Sequence, residues 1–197
     1  MTLFLAVALA EIVAVAADWT VVQWIAKPLL APLLIWYLVR HGRRDLVVVA
    51  LCFATAGDIA LLVPGQMAFL TGMLFFLGTQ VCLIAAFPRP SARACAAYGT
   101  LWVVANAVLW SELGALRVPV LVYSLALTAM AASAAGVSRR VAAGGALFLV
   151  SDLLIGVGAA GLRLPAHDVL VMTTYVAALA LITTGWVRVH TLSRSTS

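Results

Sequence analysis

Eight apolar runs follow one another along this chain, parted by gaps of only a few residues. They cover residues 2–18, 20–39, 46–63, 66–87, 94–110, 117–135, 141–161 and 168–187. Runs of this length suit helices that cross a hydrocarbon layer about 30 Å thick at about 1.5 Å per residue. The gaps carry helix-breaking or charged punctuation: Arg40 to Asp45, Pro64-Gly65, Pro88 to Ser91, Gly114, Gly136 to Arg140, and Leu164-Pro165. The first two runs join almost without a polar loop. No gap has room for a soluble domain, so the chain reads as one all-α transmembrane domain over 1–197 with eight spans.

Composition agrees. Hydrophobic residues make up 65% of the chain and charged ones 10%, against about 25% charged in soluble domains. Such a chain cannot cover a water-facing surface, and lipid is the solvent that suits it. The net charge of +5 does not point to nucleic acid, because the basic residues lie in the gaps rather than on a polar stretch. Arg40, Arg43, Arg44, Arg89, Arg93, Arg139, Arg140, Arg188 and Arg194 fall on one face, and Arg117 and Arg163 on the other. Nine against two is a positive-inside bias, placing both termini in the cytoplasm of a multi-pass cell-membrane protein. Ala14-Val15-Ala16 resembles a signal-peptidase site, but no Lys or Arg precedes the first run, so it reads as a span rather than a cleaved leader. Cys52, Cys82 and Cys95 have no metal-type spacing and read as small buried hydrophobes.

The two halves are weakly alike. Lys27-Pro28 and Val118-Pro119 open spans two and six. Phe53 with Gly57-Asp58 in span three parallels Phe148 with Ser151-Asp152 in span seven. Four spans per half would make these parallel repeats, an arrangement that often places a site between the halves.

Ionisable residues inside spans are costly and are functional candidates by default. Here they are Glu11, Lys27, Asp58 and Asp152. Counting inward from the outer span ends, they lie ~8–13 Å deep, with Tyr123 and Tyr175 at ~9 Å. Six polar side chains from six spans thus share one layer. Plainer readings exist for some: Glu11 as a packing feature, Lys27 snorkelling to headgroups, the tyrosines as interfacial aromatics. The aspartates are too short to snorkel, and point to a shared pocket. His41, His167 and His190 fall in loops or the tail, which leaves no intramembrane histidine cluster for zinc. No G-x-S-x-G elbow and no Gly-rich phosphate loop is present. Nothing in the sequence calls for a metal or cofactor.

The pattern resembles the lysoplasmalogenase (YhhN-like) family of membrane proteins. The resemblance is carried by Lys27-Pro28-Leu29-Leu30, Ala56-Gly57-Asp58, Ala68-Phe69-Leu70 with Gly72-Met73, Pro119 to Tyr123, Gly145 to Phe148 with Ser151-Asp152-Leu153, and Met172 to Tyr175 with Ala177-Ala178. It implies hydrolysis of the vinyl-ether bond of lysoplasmalogens, a lysophospholipid substrate, to a fatty aldehyde and a glycerophospho-base. Carried over, it implies a site of Lys27, Asp58, Tyr123, Asp152 and Tyr175, with Asp58 and Asp152 catalytic and the others substrate-binding; Gln80 and Ser151 are further substrate-binding candidates. Gln80 stands where family members usually have histidine, Leu83 where tyrosine is frequent, and Leu179 where glutamine is frequent. Glutamine donates and accepts hydrogen bonds but cannot shuttle a proton near neutral pH. On the same depth count Gln80 lies ~21 Å from the outer edge, below the other site residues.

Vinyl-ether hydrolysis needs a proton donor for carbon and an anion that activates water. Two carboxylates in different surroundings can divide those roles, and the sequence leaves open which aspartate takes which. The competing reading is a proton-coupled, small-solute or lipid transporter using the same acidic layer. Another is a relative that binds lipid without catalysis.

Overall fold

The computed structural model describes the backbone of residues 1–194 and side chains as far as Thr191. The Arg194 side chain of the arginine count lies outside the described residues. Among the described residues there are eight α-helices and no strand: α1 (Thr2–Ala16), α2 (Thr20–Arg40), α3 (Leu46–Leu62), α4 (Gln66–Ala86), α5 (Ala92–Leu109), α6 (Arg117–Ala134), α7 (Arg139–Ala159) and α8 (His167–Arg194). A single 3-10 turn, Gly114–Leu116, leads into α6.

Each apolar run becomes one helix, but the helices are not equivalent. Six of them, α2 and α4 to α8, are long and apolar enough to cross a membrane, and the protein is a multi-pass membrane protein. The other two are shorter than the sequence suggests, at 15 residues for α1 and 17 for α3. α1 ends early because the chain turns back at Asp18, which takes a left-handed φ of 55°. α3 ends ahead of Pro64, whose ring holds Val63 in an extended conformation. At the other extreme α8 runs on to Arg194 and absorbs what reads in the sequence as a tail.

Lipid offers helices no hydrophobic incentive to associate, so close packing must come from small residues and polar ties. α3 packs closely on α4, and α7 on α8. In the first pair Gly72 receives Leu61 and Gly78 receives Phe53; a Cβ at either would lie 2.6 or 2.8 Å from the facing side chain. In the second pair, a Cβ at Gly144 would meet the α8 backbone itself at 2.9–3.0 Å. The halves are joined by α4 against α6, and by α1 and α2 against α8.

At the arginine-rich end, side chains cap three helix N-termini. Asp45 accepts from Val47 N–H, Ser91 from Ala94 N–H and Ser138 from Val141 N–H. Asp45 also accepts from the Trp186 indole at 3.0 Å, which pins the start of α3 to α8. In the middle of the bundle Phe76, Phe148 and Tyr175 meet edge-on, with centroids 5.7–6.2 Å apart. Such aromatic pairs contribute about 0.5–1.5 kcal/mol each beyond area burial. This cluster fixes where the Tyr175 hydroxyl can reach.

Candidate functional site

Two aspartate–tyrosine pairs form the polar centre of the bundle. Asp58, on the α3 turn after Gly57, is 1% exposed and accepts a hydrogen bond from the Tyr175 hydroxyl of α8 at 2.7 Å. Gly57 has no side chain to obstruct Phe76, which approaches to 2.8 Å of where a Cβ would be. That approach sets Phe76 edge-on to Tyr175. Asp152 on α7 accepts a hydrogen bond from the Tyr123 hydroxyl of α6. The two carboxyl groups lie within range of each other's charge, and Tyr175 also feels Asp152. The Lys27 ammonium acts on Asp58 and on Glu11.

The remaining sequence-predicted residues divide. The Gln80 amide sits beside the Tyr123 hydroxyl, but without hydrogen-bond geometry. Both of its polar atoms are buried and unpartnered, and the residue is 0% exposed. The depth count separated Gln80 from the layer of the other candidates, and the fold brings it level with Tyr123. Ser151 is turned elsewhere: its hydroxyl donates to the Val171 carbonyl at 3.0 Å and ties α7 to α8.

Two voids with a shared wall lie beside this centre. A polar mouth of about 630 Å³ lies where α1 meets α2, α3 meets α4 and α7 meets α8. Glu11, Asp18, Gln23, Lys27, Arg163 and His167 line it. A narrower apolar slot of about 80 Å³ runs between α4, α5, α6 and α7. Met73, Phe76, Leu101, Leu127 and Leu149 line the slot, along with Asp152 and Tyr123. Leu61, Phe69 and Ile155 belong to both walls and mark where mouth and slot meet. Asp152 is half-buried because it faces the slot, whereas Asp58 lines neither void. Among the described residues no group of three or more His, Cys, Asp or Glu is gathered closely enough to hold a metal ion.

The YhhN family matches residues 22–186. The chain belongs to the YhhN family. A lysoplasmalogenase of Mycobacterium bovis and one of Mycobacterium tuberculosis are each 35% identical to it over 179 residues, covering 81% of this chain and 68% of each relative. No solved structure matches the chain. The family seen in the sequence is thereby borne out.

This YhhN family member also holds residues in the voids that the sequence reading passed over. In the slot, Asn106 of α5 donates to the Trp102 carbonyl at 2.9 Å and to the Ser124 hydroxyl of α6 at 3.1 Å. The Trp102 indole donates to the same hydroxyl at 3.1 Å. An amide inside an otherwise apolar span is the signal that points to it. In the mouth, Arg163 comes from the α7–α8 connection, His167 from the start of α8 and Asp18 from the α1–α2 connection. His167 reads as a loop residue but begins α8, is 6% exposed, and its ring packs where a Cβ on Gly158 would stand. Nothing in the spacing brings these positions together; only their common end of the bundle does.

Proposed function

We propose that this protein is a membrane-embedded hydrolase that cleaves the vinyl-ether bond of lysoplasmalogens to a fatty aldehyde and a glycerophospho-base. The single observation that carries the reading is a charged mouth and an apolar slot that share walls at Leu61, Phe69 and Ile155, with Asp152 facing the slot. A lysophospholipid has the same division, with a charged head, one apolar chain, and the ether bond between them. The family membership and the name of the two mycobacterial relatives support the same substrate.

In this reading the roles of the aspartates follow from their surroundings. Asp152 faces the slot, so its carboxylic acid delivers a proton to the vinyl carbon next to the ether-bearing carbon. The resulting oxocarbenium ion is attacked by water, which gives its proton to the Asp58 carboxylate. The hemiacetal then collapses to aldehyde and alcohol, and a proton passes from Asp58 back to Asp152, so the cycle consumes one water. Lys27 places a positive charge within range of Asp58. Tyr175 and Tyr123 orient the two carboxyl groups, and Gln80, next to Tyr123, supplies a polar partner for water or the ether oxygen. Ser151 contributes by fixing α7 on α8.

The architecture that suits this chemistry is a single eight-span domain over residues 1–197, built of two four-helix halves, with the arginine-rich face and both termini cytoplasmic. The mouth then opens outward, and the lipid chain reaches the slot sideways from the bilayer. α1 and α3 span by local thinning of the bilayer or by snorkelling of their flanks, as short apolar helices do.

The test is aldehyde release from purified protein given lysoplasmalogen, repeated with Asp58→Asn and Asp152→Asn. Loss of an acid–base group lowers the rate by about 10²–10⁴-fold, and both variants are expected to fall in that range. If the wild-type protein releases no aldehyde but drives proton-coupled flux in liposomes, the transporter reading replaces this one.

A further inference from the structure

Glu11 is the one intramembrane acid that the proposed chemistry leaves without a task. It is 0% exposed, and both carboxylate oxygens are buried with no hydrogen-bond partner. It nevertheless belongs to the wall of the polar mouth. A buried carboxylate without donors is expensive to keep, so its retention asks for a partner that arrives with the ligand. Lys27, on the same wall, is within range of its charge, yet the two form no ion pair. A cation and an anion held apart on one wall match a ligand that carries both charges on a short arm.

We propose that Glu11 receives the terminal ammonium of the lipid head group while Lys27 holds its phosphate, so that the mouth selects a primary-amine, ethanolamine-type head over a choline-type one. The choice between amines follows from donors and walls. A primary ammonium brings three N–H groups to two oxygens that have none, whereas a quaternary ammonium brings none. Recognition of a quaternary ammonium relies instead on several aromatic faces. Around this mouth the aromatic walls are Trp24 on α2 and Phe69 on α4, on different helices from Glu11, with no cage around its oxygens. Arg163 stands at the rim, paired with Asp168 at 3.6 Å and largely solvent-exposed. It adds positive charge near the phosphate rather than competing for Glu11.

The inference rests on the hydrolase reading for the identity of the lipid, and its test separates the two. The probes are lysophospholipids with a non-hydrolysable alkyl ether and a head group of ethanolamine, N-methyl-, N,N-dimethylethanolamine or choline. Affinity is read by displacement of a fluorescent lysolipid from the purified protein. The net charge is constant along the series while each step replaces one N–H donor by a methyl group, so affinity should fall stepwise, by about tenfold or more from first to last, as expected for lost charge-assisted hydrogen bonds. Glu11→Gln, close in shape, should flatten the series. A flat or inverted series with the wild-type protein overturns the proposal without need of any variant. A series that stays as steep in Glu11→Gln overturns the assignment to that residue. Absence of aldehyde release from alkenyl lipids would end the hydrolase reading, yet leave this binding series as a valid test.

Discussion

Tyr175 on α8 donates its hydroxyl to Asp58 on α3 at 2.7 Å, across a separation of 117 residues in sequence. The bond joins the first half of the bundle to the second at a fully buried carboxylate. Its direction is enforced by Phe76 and Phe148, which meet the Tyr175 ring edge-on in a three-ring cluster.

Tyr175→Phe therefore removes the hydroxyl and nothing else. The ring stays in its aromatic cluster, but buried Asp58 loses its hydroxyl donor, so the variant should unfold in detergent at a modestly lower temperature. A hydrogen bond to a charged group contributes about 1.5–3 kcal/mol, and the rate of aldehyde release should fall by about ten- to a hundredfold. Unchanged turnover would show that Asp58 needs no orientation from α8.

Gln80 carries the opposite balance of stability and function. Both its amide atoms are buried without partners, within α4 and beside Tyr123. An unsatisfied buried polar group costs about 1–3 kcal/mol. Gln80→Leu is close in volume and should raise the unfolding temperature in detergent while lowering turnover. A variant that is both less stable and fully active would contradict a site role for this residue.

The helices were legible in the sequence because each apolar run is closed by a charged, Gly or Pro residue that fixes its ends, as at Asp45 and Pro64. The two acids were legible because a carboxyl group inside an apolar run is too costly to sit there without a role. What the sequence concealed is whatever depends on how helices slide against one another. Gln80 falls far down α4 by count but level with Tyr123 in space, since residue counting carries no information on stagger. Ser151 neighbours Asp152 in the chain, yet successive helical residues point about 100° apart, and its hydroxyl turns to Val171 on α8. The mouth was hidden for a related reason: Asp18 comes from the α1–α2 connection, Arg163 from the α7–α8 connection and His167 from the start of α8, and only the closed bundle gathers them.

The packing of α7 on α8 gives a prediction independent of function. A Cβ at Gly144 would lie 2.9 Å from the Ile182 amide nitrogen and 3.0 Å from the Ala178 carbonyl oxygen. Backbone atoms cannot rotate aside as a side chain can, so Gly144→Ala must push the helices apart. Overpacking of this kind costs about 1–3 kcal/mol. The unfolding temperature in detergent should drop, whereas Gly156→Ala, on the same helix with open space around it, should leave it nearly unchanged.

Asp45 gives the chain an acid-sensitive lock at its arginine-rich end. Burial alone would raise its carboxyl, but the Trp186 indole, the hydrogen bond and charge of Arg43, and the Val47 N–H outweigh burial and hold it below its ordinary value. In the unfolded chain the group titrates near its ordinary pKa of about 3.9. Because the folded value is the lower one, the stabilisation is complete above that pH and is lost as pH falls through the folded value. Asp45→Ala removes the α3 cap and leaves the Trp186 N–H without its acceptor, at a cost of about 1–3 kcal/mol near neutral pH. Unfolding temperatures of the wild-type and variant proteins should therefore differ most at neutral pH and converge in strong acid. A difference that persists undiminished at low pH would mean that the carboxyl acts through packing rather than through its charge.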